Sequence, residues 1–222
     1  MVDKIKTKKS IRELFLWYCV NIGLFIVFTT EFLSFFGLIN NFSIFTCWVI
    51  LLLLGYIIFI SKFRYYFCSL ITKINFSLNV ITLFRFFIIA ILILTLLTAL
   101  IYPPNTPDSL SYHMSKVMHW IQNGNVEFYS TSITRQLYLS PFSEFVILHL
   151  QLLTNGDHLA NLVQWFSMIG CMIAVSLVTK EFGGNNKSQL FSALFCVTIP
   201  MGILQSTSTQ TDYVVSLWIV IF

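Results

Sequence analysis

The apolar residues of this chain fall into long runs separated by short polar stretches. Five runs, at residues 14–38, 44–60, 86–102, 159–179 and 188–204, precede a sixth that starts at Tyr213 and reaches Phe222. About 20 predominantly apolar residues cross a bilayer core as a helix, so the first five read as membrane-crossing helices. A further apolar stretch, 142–153, is only 12 residues long and carries Glu144 and His149. That length predicts an interfacial or re-entrant helix rather than a crossing.

The pattern changes between residues 103 and 158. Pro103, Pro104 and Pro107 stop the preceding helix and hold the chain extended. Leu110, Met114, Val117 and Ile121 then recur at helical spacing, with Ser111, Ser115, Lys116, His119 and Gln122 on the remaining surface. This predicts an amphipathic helix lying on the outer membrane surface, apolar side down, started by Asp108 as N-cap and ended by Asn123-Gly124-Asn125. A second polar connection, from Gln205 to Asp212, separates the last two apolar runs.

Composition strengthens this reading. Of 222 residues, 57% are hydrophobic and 17% aromatic, while 10% are charged; soluble domains carry about 25% charged residues. A soluble enzyme, a disordered protein and a nucleic-acid binder are excluded, and the chain is expected to be an all-α integral membrane protein. The five cysteines form no CxxC pair, and four of them lie in apolar runs, where a thiol acts as a small hydrophobe. Lys4, Lys6, Lys8, Lys9 and Arg12 precede a first run too long for a cleaved signal, which predicts an uncleaved signal anchor.

Charge sets the expected topology. With the N-terminus in the cytoplasm and 142–153 held outside, every Lys and Arg except Lys116 and Arg135 falls on the cytoplasmic side. Residues 1–85 then form a two-span anchor whose loop 61–85 mixes bases and aromatics at the cytoplasmic interface. Residues 86–222 form a membrane domain with an outer loop at 103–158. Most of the acids, Asp108, Glu127, Glu144, Asp157 and Asp212 among them, map to the outer side. Asp108 and Asp212 each stand at a helix start, where a carboxylate either caps the helix or serves chemistry at the membrane edge. The four histidines, His113, His119, His149 and His158, lie in this loop without a metal-motif spacing. Lys116 and Arg135 are its only cations and are candidates for a lipid phosphate.

The stretch Pro104-Asn105-Thr106-Pro107-Asp108-Ser109-Leu110-Ser111-Tyr112-His113, with His119-Trp120-Ile121-Gln122-Asn123, Ser140-Pro141 and Glu144, and Ser208-Thr209-Gln210-Thr211-Asp212, resembles bacterial multi-pass glycosyltransferases of the GT-C superfamily. The likeness covers residues 86–222 and is to family 39-like enzymes, relatives of protein O-mannosyltransferases and the lipid A aminoarabinose transferase. It implies a GT-C-like helical bundle in the bacterial inner membrane, with juxtamembrane helices from Ser109 and at 142–153. The implied donor is a sugar on a polyprenyl phosphate, and the acceptor is an extracytoplasmic lipid, glycan or protein. The resemblance puts Asp108 at the sugar-transfer site.

Three positions depart from the family pattern: Ser109 where an acid often follows the first Asp, Ser140 where a His opens the later helix, and Gln210-Thr211 where an Arg often precedes the second acid. Asp212 and His113 join Asp108 as candidate catalytic groups, while Lys116, Arg135, Tyr112 and Gln210 are candidates for holding substrate or lipid phosphate. No metal ligand set is assigned, and a divalent cation is the one cofactor left open. Membrane lipids are expected partners and nucleic acid is not. The alternatives are a non-catalytic glycolipid transporter or assembly subunit, and a truncated remnant, since ten residues from Tyr213 are too few to cross.

Overall fold

The computed structural model describes residues 10–55 and 80–222, and all regular structure among them is helical. The lysines before Ser10, the end of the second apolar run, Cys68 and most of the basic loop 61–85 lie outside the described residues. In chain order the helices are α1 (Ile11–Phe35), α2 (Asn41–Gly55) and α3 (Val80–Ile101). A π-helical turn, Ser109–His113, then runs into α4 (Met114–Asn123). The remainder are α5 (Arg135–Tyr138), α6 (Phe142–Thr154), α7 (Leu162–Glu181), α8 (Asn186–Thr198), α9 (Pro200–Gln205) and α10 (Asp212–Ile221). Among them α1, α3 and α7 are long and apolar enough to cross a membrane.

Helix α7 is the centre of the bundle. Its apolar stretch is 56% buried, against 11% for α1 and α3, and α1, α3, α8 and α10 all pack on it. Small residues permit close approaches between helices: a Cβ at Gly170 would lie 2.6 Å from the Leu217 side chain, and one at Gly23 of α1 2.8 Å from Trp218 of α10. Helix α1 starts with a full capping box, in which Ser10 Oγ accepts from the Glu13 amide and the Glu13 carboxylate accepts from the Ser10 amide.

The two ends of the bundle differ in charge. At one end Arg12 donates to Ser176 Oγ and to Gln189 Oε1, each at 2.9 Å, and Lys180 lies 3.5 Å from Glu13. These contacts join the start of α1 to the end of α7 and the start of α8. At the other end the Ile39 amide donates to the Gly124 carbonyl at 3.0 Å, and the Val126 amide to Ser34 Oγ at 2.9 Å. There Asn161 Nδ2 reaches the Tyr102 carbonyl at 2.9 Å, tying the start of α7 to the end of α3.

Two expected elements are corrected. The run 188–204 is not one crossing helix: it breaks at Ile199, whose ψ of 118° leaves the helical region, and restarts as α9 at Pro200. Proline disfavours the α conformation in the residue before it and lacks the N–H that would bond the carbonyl four residues back. That carbonyl belongs to Cys196, and the Tyr213 hydroxyl donates to it at 3.4 Å, with Gly202 leaving room for the ring.

The second correction concerns α4. Its apolar residues do not face outward onto a membrane surface. Met114, Val117 and Trp120 are buried in the core that α4 forms with α6, with the Trp120 and Phe145 rings 5.3 Å apart. The π turn carries one residue more per turn than an α-helix, so Leu110 drops out of the stripe and is exposed. Lys116, expected on the polar surface, is 3% exposed. Gly124 ends α4 in the left-handed conformation (φ 70°), as the Asn-Gly-Asn signal predicted.

Helix α6 has 13 residues, the short length expected for 142–153, and it holds α1 and α2 through His149. Thr30 Oγ1 already donates to the Ile26 carbonyl, so it must accept from His149 Nε2 at 2.9 Å. His149 Nδ1 then accepts from Trp48 Nε1 at 3.0 Å. The ring is therefore neutral with its proton on Nε2, and burial pushes its pKa down to about 4. The unfolded chain binds a proton at this histidine near pH 6.5 and the folded chain does not until about pH 4. Stability is expected to fall as pH drops through that window, by about 3 kcal/mol at 1.36 kcal/mol per pKa unit. Thermal unfolding in detergent from pH 7 to pH 4 measures this; the acid-side slope should flatten in His149→Gln.

Candidate functional site

The polar loop after α3 and the polar loop before α10 meet at the acidic end of the bundle. Thr106 starts the first helical turn: its Oγ1 accepts from the Ser109 amide at 3.1 Å, and its carbonyl accepts from the Leu110 amide at 3.0 Å. The helix cap is therefore Thr106, not Asp108, which stands inside the turn with no side-chain capping bond. Thr106 takes the role because Pro107, with its fixed φ, suits the first helical position and puts the cap one residue before it.

A buried hydroxyl chain ties the two loops together. Thr209 Oγ1 donates to Ser109 Oγ at 2.6 Å, and Ser109 Oγ lies 2.6 Å from Thr106 Oγ1. Ser109 and Thr209 are both fully buried. The second loop is fixed from below by Gln164 of α7, also fully buried, whose Oε1 accepts from the Tyr213 and Val214 amides at 3.0 and 3.2 Å. Those amides belong to the first turn of α10 and would otherwise lack partners. Asp212 opens α10 without a side-chain capping bond of its own, and the capping role, one of the two open to it, is taken by a side chain of a different helix.

Asp108 is the centre of this junction. Its Oδ1 lies 3.6 Å from Arg135 Nη1, and its Oδ2 lies 3.5 Å from Gln210 Nε2. Arg135 also sits 5.7 Å from the centre of the Tyr112 ring. Burial, then the charge of Asp108 and a hydrogen bond to it, raise the Tyr112 pKa; Asp212 adds to this and Arg135 opposes it. The Arg135 and Asp108 side chains are 58% and 43% exposed, so their ion pair is weak and readily exchanged. Arg135 is positioned by its neighbour: Gln136 is buried, donates to the Ser111 carbonyl at 2.7 Å and accepts from the Tyr129 hydroxyl at 2.9 Å. A half-exposed carboxylate and guanidinium thus lie together with an amide and the largely buried Tyr112 phenol, a set that can accept a proton and hold an anion.

His113 and Lys116 have their polar partners elsewhere. His113 Nδ1 lies 2.8 Å from Glu144 Oε1, with both side chains essentially fully buried. Lys116 donates to the Leu139 carbonyl at 3.0 Å and lies over the Trp120 ring at 5.1 Å. Burial lowers its pKa while the charge of Glu144 pulls the other way. Lys116 borders a cavity of about 770 Å³ that Glu31, Glu127, Tyr129 and Tyr138 also line. Among the described residues no group of three or more His, Cys, Asp or Glu side chains is placed to hold a metal ion.

Of the residues singled out from sequence, Asp108, Tyr112, Arg135 and Gln210 are brought together, with Asp212 close enough to act on Tyr112. Gln136, Gln164 and the pairing of His113 with Glu144 were missed. The signal available was a polar residue within an apolar run, which Gln164 and Glu144 both are. No protein-family model, curated protein or solved structure matches the chain.

The Glu144 pair gives a stability test. Replacing Glu144 by Ala leaves His113 and Lys116 buried without their acidic neighbour and is expected to cost about 3 kcal/mol or more. Gln keeps an acceptor for His113 Nδ1 at the same position and should cost clearly less. Unfolding midpoints of the two variants in one detergent provide the measurement.

Proposed function

We propose that this protein is a membrane-embedded glycosyltransferase of the GT-C kind, moving a sugar from a polyprenyl-phosphate donor to an extracytoplasmic lipid, glycan or protein. The observation that carries the proposal is the convergence of Asp108, Tyr112, Arg135 and Gln210 from segments up to 102 residues apart. The three helices long and apolar enough to cross a membrane support the membrane setting. In this reading the chain belongs to the bacterial inner membrane, with its N-terminus cytoplasmic and the Asp108 edge outside.

In the reaction an acceptor hydroxyl or amine attacks the anomeric carbon as its proton passes to the Asp108 carboxylate. The new bond forms on the face opposite the departing phosphate, so configuration inverts. The bond from the anomeric carbon to the phosphate oxygen breaks, and its electron pair leaves on the lipid phosphate. Arg135 exchanges its exposed contact with Asp108 for that phosphate and offsets the charge developing on it. Tyr112 and Gln210 orient donor hydroxyls, and Asp212 helps to place the acceptor. His113 acts through packing from below, since its ring is buried against Glu144.

Asp108→Asn is expected to lower sugar transfer in membranes by about 100-fold or more while leaving donor binding in place. Arg135→Ala should instead raise the donor concentration required. Transfer at the unsubstituted rate in Asp108→Asn, measured with radiolabelled donor, would remove Asp108 from the base role.

A further inference from the structure

At the opposite end of the bundle, two arginines have no acidic partner among the described residues. Arg12 spends two of its donors on the neutral groups Ser176 Oγ and Gln189 Oε1, and it forms no ion pair among the described residues. Arg85, on the first turns of α3, is exposed and has no hydrogen bond or ion pair among them. The described acids at this end, Glu13 and Glu181, both engage Lys180, at 3.5 and 3.8 Å. Guanidinium donors that remain free beside a cleft suit an oxyanion that accepts several hydrogen bonds.

Both arginines border a cleft of about 460 Å³ between α3, α7 and α8. Its lining joins polar groups, Arg12, Arg85, Ser176 and Gln189, to apolar ones, Ile88 and Met172 among them. A volume of this size is that of a small-molecule site. The matching ligand has one anionic head and an aliphatic tail, the head held at the helix ends and the tail running toward the middle of the bundle.

We infer that this cleft is a binding site for one anionic phospholipid, with its phosphodiester between Arg12 and Arg85 and an acyl chain laid along α3 and α8. Basic pockets between membrane helices select lipids in this manner, each cation adding attraction to the anionic headgroup. The inference rests on the membrane-embedded reading above but not on sugar transfer, and it concerns the end of the bundle remote from Asp108.

Native mass spectrometry of the full chain in mild detergent tests it, with phosphatidylglycerol, phosphatidylcholine of the same acyl chains, and inorganic phosphate as probes. One phosphatidylglycerol should be retained in preference to phosphatidylcholine. Its affinity should fall several-fold in Arg85→Gln and roughly 30-fold in the Arg12→Gln/Arg85→Gln double variant, with Lys187→Gln unchanged. Arg85→Gln breaks no hydrogen bond or ion pair within the described residues, so it guards against a loss caused by unfolding. Equal retention of the two lipids, undiminished binding in Arg85→Gln, or displacement of the lipid by millimolar inorganic phosphate would each overturn the site. Recovery of the chain in folded form without detergent would overturn the membrane reading itself, an outcome distinct from those three.

Discussion

Gln164 holds the two halves of the candidate site in register. It sits on α7, fully buried, and its side-chain carbonyl takes two backbone amides from the first turn of α10. An apolar bundle offers little water to such groups, so an uncapped helix end inside it would carry the full desolvation cost of its amides. Because the cap comes from another helix, the start of α10 is fixed relative to α7, and Gln210 is carried with it to Asp108. The Thr209–Ser109–Thr106 hydroxyl chain then closes the junction from the other loop.

The same economy of polar groups recurs through the molecule. Pro200 leaves the Cys196 carbonyl without its helical donor, and the Tyr213 hydroxyl takes it. His149 uses both ring nitrogens to join α1, α2 and α6. Arg12 satisfies two donors on the ends of α7 and α8. Each of these contacts spans elements far apart in sequence, and each fixes a helix that apolar packing alone would leave free to slide. In a chain with 10% charged residues, the few polar side chains are therefore interhelical ties as well as candidates for chemistry.

Charge separation along the bundle links the structure to the proposed reaction. The described bases Arg12, Arg85, Lys180 and Lys187 belong to helix ends at one side, while Asp108 and Asp212 lie with Arg135 at the other. A lone arginine within an acidic edge can change partners, since its exposed pairing with Asp108 contributes little stability. At the basic edge Arg12 and Arg85 have no carboxylate partner among the described residues, so no internal ion pair need break there. The two ends thus favour different anions for the same electrostatic reason.

Apolar runs, proline stops and turn signals determined the helices themselves: α1, α3, α6 and α7 follow the runs, and Gly124 closes α4 as its left-handed conformation requires. Such signals are local, reaching no further than a few residues along the chain, and they were legible for that reason. Which polar groups face inward was not. A π turn occupies Ser109–His113, and His113 and Lys116 are buried, although the stripe read from sequence put Lys116 on the polar surface. The cap on α10 comes from Gln164, 49 residues away, and one partner of Asp108 is Gln210, 102 residues away. Contacts over such separations depend on how whole helices pack, and only the tertiary structure decided them.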